Sequence, residues 1–124
     1  MKLGTFLTIK AAISFIFGTS SLLAPAQLLS MYGVALDPFG VNISRLLGVT
    51  LLGIGFICWF TRNAAYSELR QGILLSLFIA DTLGFIVDLL SQLSGVESGL
   101  GWMNVAIWFF LALGLGYFRF IKTG

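Results

Sequence analysis

The chain has 124 residues, of which 58% are hydrophobic and 10% are charged, and its mean hydropathy is +1.01. Because a soluble domain carries a charged fraction of about a quarter, this composition excludes an ordinary soluble protein and predicts one embedded in a membrane. The absence of histidine and the presence of a single cysteine exclude sites built from Cys and His ligands for zinc, haem or iron–sulfur clusters, and also dithiol redox chemistry.

Four apolar runs are each long enough to cross a bilayer, which takes about 20 residues of helix. We predict spans over residues 5–24, 41–60, 70–92 and 102–120, and therefore a single membrane domain over residues 1–124. The first run resembles a signal peptide, since Lys2 precedes it and the small-x-small sequence Ala24-Pro25-Ala26 follows it. Lys10 interrupts its apolar part, however, so we interpret this run as a transmembrane helix.

The segment after the first span predicts a short helix in the membrane interface. Pro25 suits the first turn of a helix and Gly33 suits its end, which places this helix over about residues 25–32. Asp37-Pro38-Phe39-Gly40 has the composition of a turn. The predicted fold class is thus an all-α membrane protein, a four-transmembrane-helix bundle with a short interfacial helix after the first span.

The basic residues predict the orientation of the chain in the membrane. With the N-terminus inside, six of the seven basic residues fall on or toward the cytoplasmic side, whereas Arg45 falls toward the other side with Asp37 and Glu97. The six are Lys2, Lys10, Arg62, Arg70, Arg119 and Lys122. We therefore predict a multi-pass protein of the cell (inner) membrane with both termini cytoplasmic.

Four charged residues lie within the predicted spans, and their depths suggest two pairs. At a rise of about 1.5 Å per residue, Arg45 and Asp88 both lie roughly 6 Å below the outer boundary. Asp81 lies roughly 16 Å below it, and the Cα atom of Lys10 roughly 21 Å, a difference that the lysine stem can bridge. We predict that Arg45 pairs with Asp88 and that Lys10 pairs with Asp81.

Small and polar residues recur at helical spacing on the spans and predict a seam where helices pack closely. Ser14 and Gly18 form a small-xxx-small pair on the first span, and Gly84 lies between the two acids of the third. The predicted seam consists of Ser14, Gly18, Asn42, Gly48, Gly55 and Gly84.

Two segments carry a resemblance to a known group of proteins. LLAPAQLLSMYGV after the first span and RLLGVTLLGIGF with Arg45 in the second, followed by a third span that contains an acid, resemble small four-helix bacterial inner-membrane proteins grouped loosely with the DoxX-like families. The resemblance covers most of the chain. It implies a four-helix inner-membrane bundle of unassigned activity and supplies no catalytic residues.

Two functions remain open at the level of the sequence. Without histidine or a glycine-rich phosphate loop, no catalytic constellation can be assembled, which favours a non-enzymatic membrane protein without a cofactor or metal. It would serve as an accessory subunit of a membrane complex or bind a lipophilic ligand. The alternative is a proton- or cation-coupled transporter or channel that acts as a homo-oligomer through Asp81.

Expected partners are the lipid bilayer and other membrane subunits or further copies of the chain. Nucleic acid is not expected, since the basic residues are scattered along the chain.

Overall fold

In the computed structural model, which describes residues 1–95 and 98–121, all regular secondary structure is helical. The elements are α1 (Leu3–Leu23), α2 (Pro25–Ser30), α3 (Pro38–Thr61), α4 (Glu68–Leu93) and α5 (Gly101–Gly116), which continues as a π-helical segment (Tyr117–Ile121). α1, α3, α4 and α5 with its extension are each long and apolar enough to cross a membrane. The predicted fold class is confirmed: four long apolar helices, with a short helix after the first. Glu97 and Lys122, which contribute to the predicted charge bias, lie outside the described residues.

Side-chain caps explain why two helices begin earlier than the hydropathy pattern predicts. The Asp37 carboxylate accepts a hydrogen bond of 2.6 Å from the Gly40 amide, and Pro38 occupies the first turn of α3. The residues interpreted as a turn are therefore an N-cap and the first helical turn. Ser67 caps α4 in the same way by accepting a hydrogen bond of 3.1 Å from the amide of Arg70.

Glycine in the left-handed region closes two of the helical segments. Gly33 follows the turn after α2 with φ 77°, and Gly95 follows α4 with φ 76°. Side chains rarely adopt this conformation, so these two positions favour glycine whatever their surroundings. The short helix ends at Ser30, two residues before its predicted end, and Gly33 completes the turn that follows it.

The chain divides into two compact units, Met1–Asn63 (unit 1) and Ala64–Gly124 (unit 2). In unit 1, α1 and α3 pack against each other in antiparallel orientation, because Gly4 near the start of α1 adjoins Arg62 at the end of α3. In unit 2, α4 and α5 pack in the same manner, with Gln71 near the start of α4 adjoining Arg119 at the end of the chain's last helix. The single membrane domain stays a prediction.

Most large apolar side chains of the long helices are exposed. The fully buried side chains are few, including Leu7 in unit 1 and Leu74 and Leu115 in unit 2, whereas residues such as Ile16 and Phe110 are exposed along the helices. A water-soluble protein would not leave so much apolar surface uncovered. This surface is what four membrane-spanning helices present to lipid.

Candidate functional site

Two glycines bring α1 and α3 into backbone contact in unit 1. A Cβ atom added to Gly48 would lie 2.7 Å from the Gly18 carbonyl oxygen and 2.7 Å from the Leu22 amide nitrogen. A Cβ atom added to Gly18 would lie 3.0 Å from the Gly48 carbonyl oxygen. The two helices therefore approach more closely at this crossing than any residue with a side chain would allow, as small-residue contacts in membranes do.

The other seam residues of unit 1 lie in different places. Ser14 is buried on α1, and the ring of Phe15 fills the space beside Gly55, where an added Cβ atom would lie 2.9 Å from the ring. Asn42, by contrast, is exposed. It precedes Gly48 by six residues, which turns it about 120° away from the glycine around the helix. Asn42 is thus not part of the buried contact.

Lys10 and Asp81 are both buried, each with 3% of its surface exposed. Lys10 shares the buried face of α1 with Leu7 and Ser14, and Asp81 ends the buried face of α4 that begins at Arg70. Charged groups are rarely buried to this extent without partners. The specific pairing of Lys10 with Asp81 stays a prediction.

Asp88 is half-buried, and in unit 2 it lies beside a tryptophan of α5. Trp108 is within hydrogen-bonding reach of the Asp88 carboxyl group. The same indole ring covers Gly84, one turn earlier on α4, where an added Cβ atom would lie 2.7 Å from the ring. The absence of a side chain at Gly84 therefore lets Trp108 lie flat on α4 next to the acid. The sequence analysis did not connect Trp108 with Asp88.

Arg45 lies on an exposed surface of α3. Its neighbours Ile43, Leu46 and Val49 are exposed as well, and Arg45 makes no ion pair within unit 1. The residue is therefore a positive charge on an otherwise apolar helix surface. Its pairing with Asp88 stays a prediction.

Two arginines and a glutamine form a polar cluster at the end of unit 2 where α4 begins and the π-helical segment ends. Arg70 is 9% exposed and Gln71 is 7% exposed. Arg70 donates to the Ala64 carbonyl oxygen over 3.0 Å, and the Arg119 Nε atom donates to the Gln71 carbonyl oxygen over 3.1 Å. The Arg70 Nε and Gln71 Oε1 atoms are buried and have no hydrogen-bond partner among the described residues. We call these three residues the Arg70 cluster.

The end of unit 1 where α1 begins and α3 ends is also basic, and its basic residues are more exposed than Arg70. A groove of about 520 Å³ lies where α1 begins and α3 ends, and Lys2, Thr5 and Arg62 line it. The Arg62 guanidinium carbon lies 3.6 Å from the centroid of the Trp59 ring and a guanidinium nitrogen donates to the Trp59 carbonyl oxygen. Lys2 is exposed, so this groove leaves its charges in contact with solvent.

Sequence reasoning counted Arg70 and Arg119 only as markers of orientation. Their common position follows from the antiparallel packing of α4 and α5, which no local pattern encodes. The sequence did offer one signal: each arginine lies at the end of its helix that is far from the loop between α4 and α5.

Among residues 1–95 and 98–121, no group of three or more Cys, Asp and Glu side chains is placed to hold a metal ion.

Comparison with known proteins identifies a family but transfers no activity. A family model described as "Domain of unknown function (DUF8292)" matches residues 8–122. No curated protein and no solved structure gives a match. These comparisons show no link to the DoxX-like families, so that resemblance stays a prediction. Since the match extends over most of the sequence, the chain belongs to the DUF8292 family.

Proposed function

We propose that this protein is a non-enzymatic accessory subunit of a membrane-protein complex. The observation that supports this proposal most directly is that Arg45 is exposed on an apolar surface of α3. A charged side chain costs about 2.5–3.5 kcal/mol at the middle of a transmembrane helix on insertion scales, and less at the position of Arg45, which lies nearer the start of α3 than its middle. Charged residues within spans face a partner or a polar cavity rather than lipid. The partner that fits is a membrane helix with a carboxylate at the same depth.

In this role the protein would lie in the inner membrane with both termini in the cytoplasm. The arrangement inside each unit supports this orientation. Lys2 adjoins the end of unit 1 that carries Arg62, and Arg70 lies at the same end of unit 2 as Arg119. Basic residues thus gather at one end of each helix pair, as the positive-inside rule requires of a cytoplasmic side.

The test compares complexes formed by wild type and by Arg45→Leu. Tagged protein is extracted from native membranes in mild detergent, and the mass of the assembly and the composition of its subunits are measured. We expect wild type to carry a stoichiometric membrane partner that Arg45→Leu loses. Lys2→Gln, which removes one exposed charge elsewhere, is expected to retain the partner. A partner acid changed to lysine should restore binding to Arg45→Glu.

Two results would contradict this proposal. If wild type and Arg45→Leu migrate with the same mass and composition, Arg45 holds no partner. If Asp88→Asn destabilises the protein as much as Arg45→Leu and the double variant is no worse than either, Arg45 is satisfied inside the chain by Asp88. That second result would establish the internal ion pair, because paired residues are non-additive.

The alternative function is proton- or cation-coupled transport through Asp81, and its motivation is the buried carboxylate within α4. A transport path needs water to reach this acid, whereas the observed exposure of 3% supports a structural role. We therefore expect liposomes that contain the purified protein to take up no more protons than empty liposomes under an imposed potential. If wild type takes up protons and Asp81→Asn does not, transport through Asp81 would be better supported than the accessory role.

A further inference from the structure

We infer that the groove in unit 1 binds the headgroup of an anionic phospholipid. It lies where α1 begins and α3 ends, and we call it the basic groove because Lys2 and Arg62 are the charged residues that line it. Its volume of about 520 Å³ falls within the range of about 300–1,000 Å³ that is usual for ligand sites. The inference is independent of the proposed accessory role, since Arg45 lies roughly 26 Å along α3 from Arg62.

The first step of the argument is that the basic groove holds two positive charges and no negative one. Unit 1 contains a single acidic residue, Asp37, whose carboxylate caps the opposite end of α3. Neither Lys2 nor Arg62 makes an ion pair among the residues that the structure describes. A cleft lined by charges of one sign concentrates the field and attracts ions of the other sign. The charges of the groove therefore favour an anionic ligand.

The second step is that the Arg62 guanidinium is held in place with donors left for a ligand. Its carbon atom lies 3.6 Å from the centroid of the Trp59 ring, and one terminal nitrogen donates to the Trp59 carbonyl oxygen. Because a guanidinium has five N–H donors, others remain for the oxygens of a phosphate. Thr5 and Asn63, which are exposed and line the same groove, add neutral donors. A side chain fixed before binding also loses less entropy when the ligand arrives.

The position of the basic groove points to a lipid as the source of the anion. Lys2 directly precedes α1 and Arg62 directly follows α3, so both charges lie at the ends of helices that are able to span a membrane. With 24 residues α3 is about 36 Å long, whereas the hydrocarbon core of a bilayer is about 30 Å thick. The groove thus lies at the level of the phospholipid headgroups, where basic side chains attract anionic lipids.

An apolar surface of α1 continues from the basic groove toward the middle of the helix. Ile9 lines the groove and is 42% exposed, and Ile16, seven residues later on the same side of the helix, is 64% exposed. Ala12 between them is exposed as well, and its side chain is small. The acyl chains of a lipid whose headgroup occupies the groove can therefore lie along this surface. A free phosphate ion makes no such contact.

The experiment measures binding to the purified protein in mild detergent. Thermal unfolding and native mass spectrometry are recorded with phosphatidylglycerol, which carries a net negative charge, and with phosphatidylcholine, which is zwitterionic. Inorganic phosphate is compared with chloride at equal ionic strength. The shift of each variant is measured against its own sample without lipid or phosphate, so that a change in the stability of the free protein is not counted as binding.

Three variants probe the basic groove, and a fourth is the matched control. Lys2→Gln and Arg62→Gln each remove one charge, whereas Thr5→Phe keeps both charges and fills the groove with a ring. The control is Arg119→Gln in the Arg70 cluster, because Arg119 does not line the groove. Like Arg62, Arg119 is half-buried and donates to a backbone carbonyl oxygen.

We expect wild type to bind phosphatidylglycerol more tightly than phosphatidylcholine and to respond little to inorganic phosphate. Lys2→Gln and Arg62→Gln should each weaken the binding of phosphatidylglycerol about fivefold, which is the attraction of one basic residue to an anionic headgroup. Thr5→Phe should weaken it at least as much. Arg119→Gln should stay within about twofold of wild type, since a charge outside the site contributes little.

Equal binding of the two lipids by wild type would overturn the inference, and an equal response to inorganic phosphate would identify a site for the free ion instead. If Arg119→Gln weakens binding as much as Arg62→Gln, or if Thr5→Phe binds like wild type, the attraction follows net charge and not the groove. Should Arg62→Gln fail to fold, Lys2→Gln and Thr5→Phe decide the question. Arg45→Leu should bind the lipid like wild type, so this result is separate from the loss of a protein partner.

Discussion

Gly48→Ala is expected to destabilise the protein strongly although it adds a single methyl group. The added Cβ atom would lie 2.7 Å from two backbone atoms of α1, the Gly18 carbonyl oxygen and the Leu22 amide nitrogen. Backbone atoms cannot rotate away as a side-chain terminus can, so the two helices have to separate. Overpacking of this kind costs typically 1–3 kcal/mol and occasionally more, and we expect about 3 kcal/mol.

Thermal or denaturant unfolding of the purified protein in detergent measures this effect. Gly53→Ala is the matched control, because Gly53 lies on the same helix and nothing lies within 4 Å of its added Cβ atom. Alanine has the higher helix propensity, so the control should stay within about 1 kcal/mol of wild type or gain stability. Equal stability of the two variants would show that α1 and α3 do not touch at Gly48.

Gly84→Ala is expected to have the second largest effect, because it displaces Trp108 from α4. The new Cβ atom would lie between 2.7 and 2.8 Å from three atoms of the indole ring. These atoms belong to the body of a rigid ring, so the whole side chain must move, at a cost of roughly 2 kcal/mol. The same movement separates Trp108 from the Asp88 carboxyl group.

A double-mutant cycle identifies the cause. Gly84→Ala combined with Trp108→Leu should cost clearly less than the sum of the single changes, with a coupling of about 1–2 kcal/mol between contacting residues. Gly72→Ala on the same helix is the control, because no atom lies within 4 Å of its added Cβ atom. Strict additivity would mean that the alanine methyl and the indole ring do not compete for the same space.

The membrane class of this protein and the location of its long helices could be predicted from the sequence. Hydropathy adds up along the chain, so each span is visible without knowledge of its neighbours. Predicted starts differed from the structure where polar caps extend a helix beyond its apolar run, as Asp37 and Ser67 do. The glycine in the turn after the short helix has a local explanation as well, because Gly33 adopts a positive φ that residues with side chains rarely adopt.

The partners of individual side chains required the tertiary structure. Spacing along α3 placed Gly48 and Gly55 on one predicted seam, but it could not tell that an added Cβ atom would meet backbone at Gly48 and the Phe15 ring at Gly55. Which case applies depends on how two helices are aligned along each other, a property of both sequences together rather than of either one.

What the sequence by itself determined is that the chain is an all-helical protein with four membrane-spanning segments, and which of its residues are polar within them. What only the tertiary structure decided is how those residues are used: Asn42 is exposed, Asp88 lies beside Trp108, and Arg119 donates to the Gln71 carbonyl oxygen at one end of unit 2. The physical reason is the distance along the chain over which each effect acts. Burial in lipid follows from local composition, whereas a contact between residues 48 positions apart follows from helix packing.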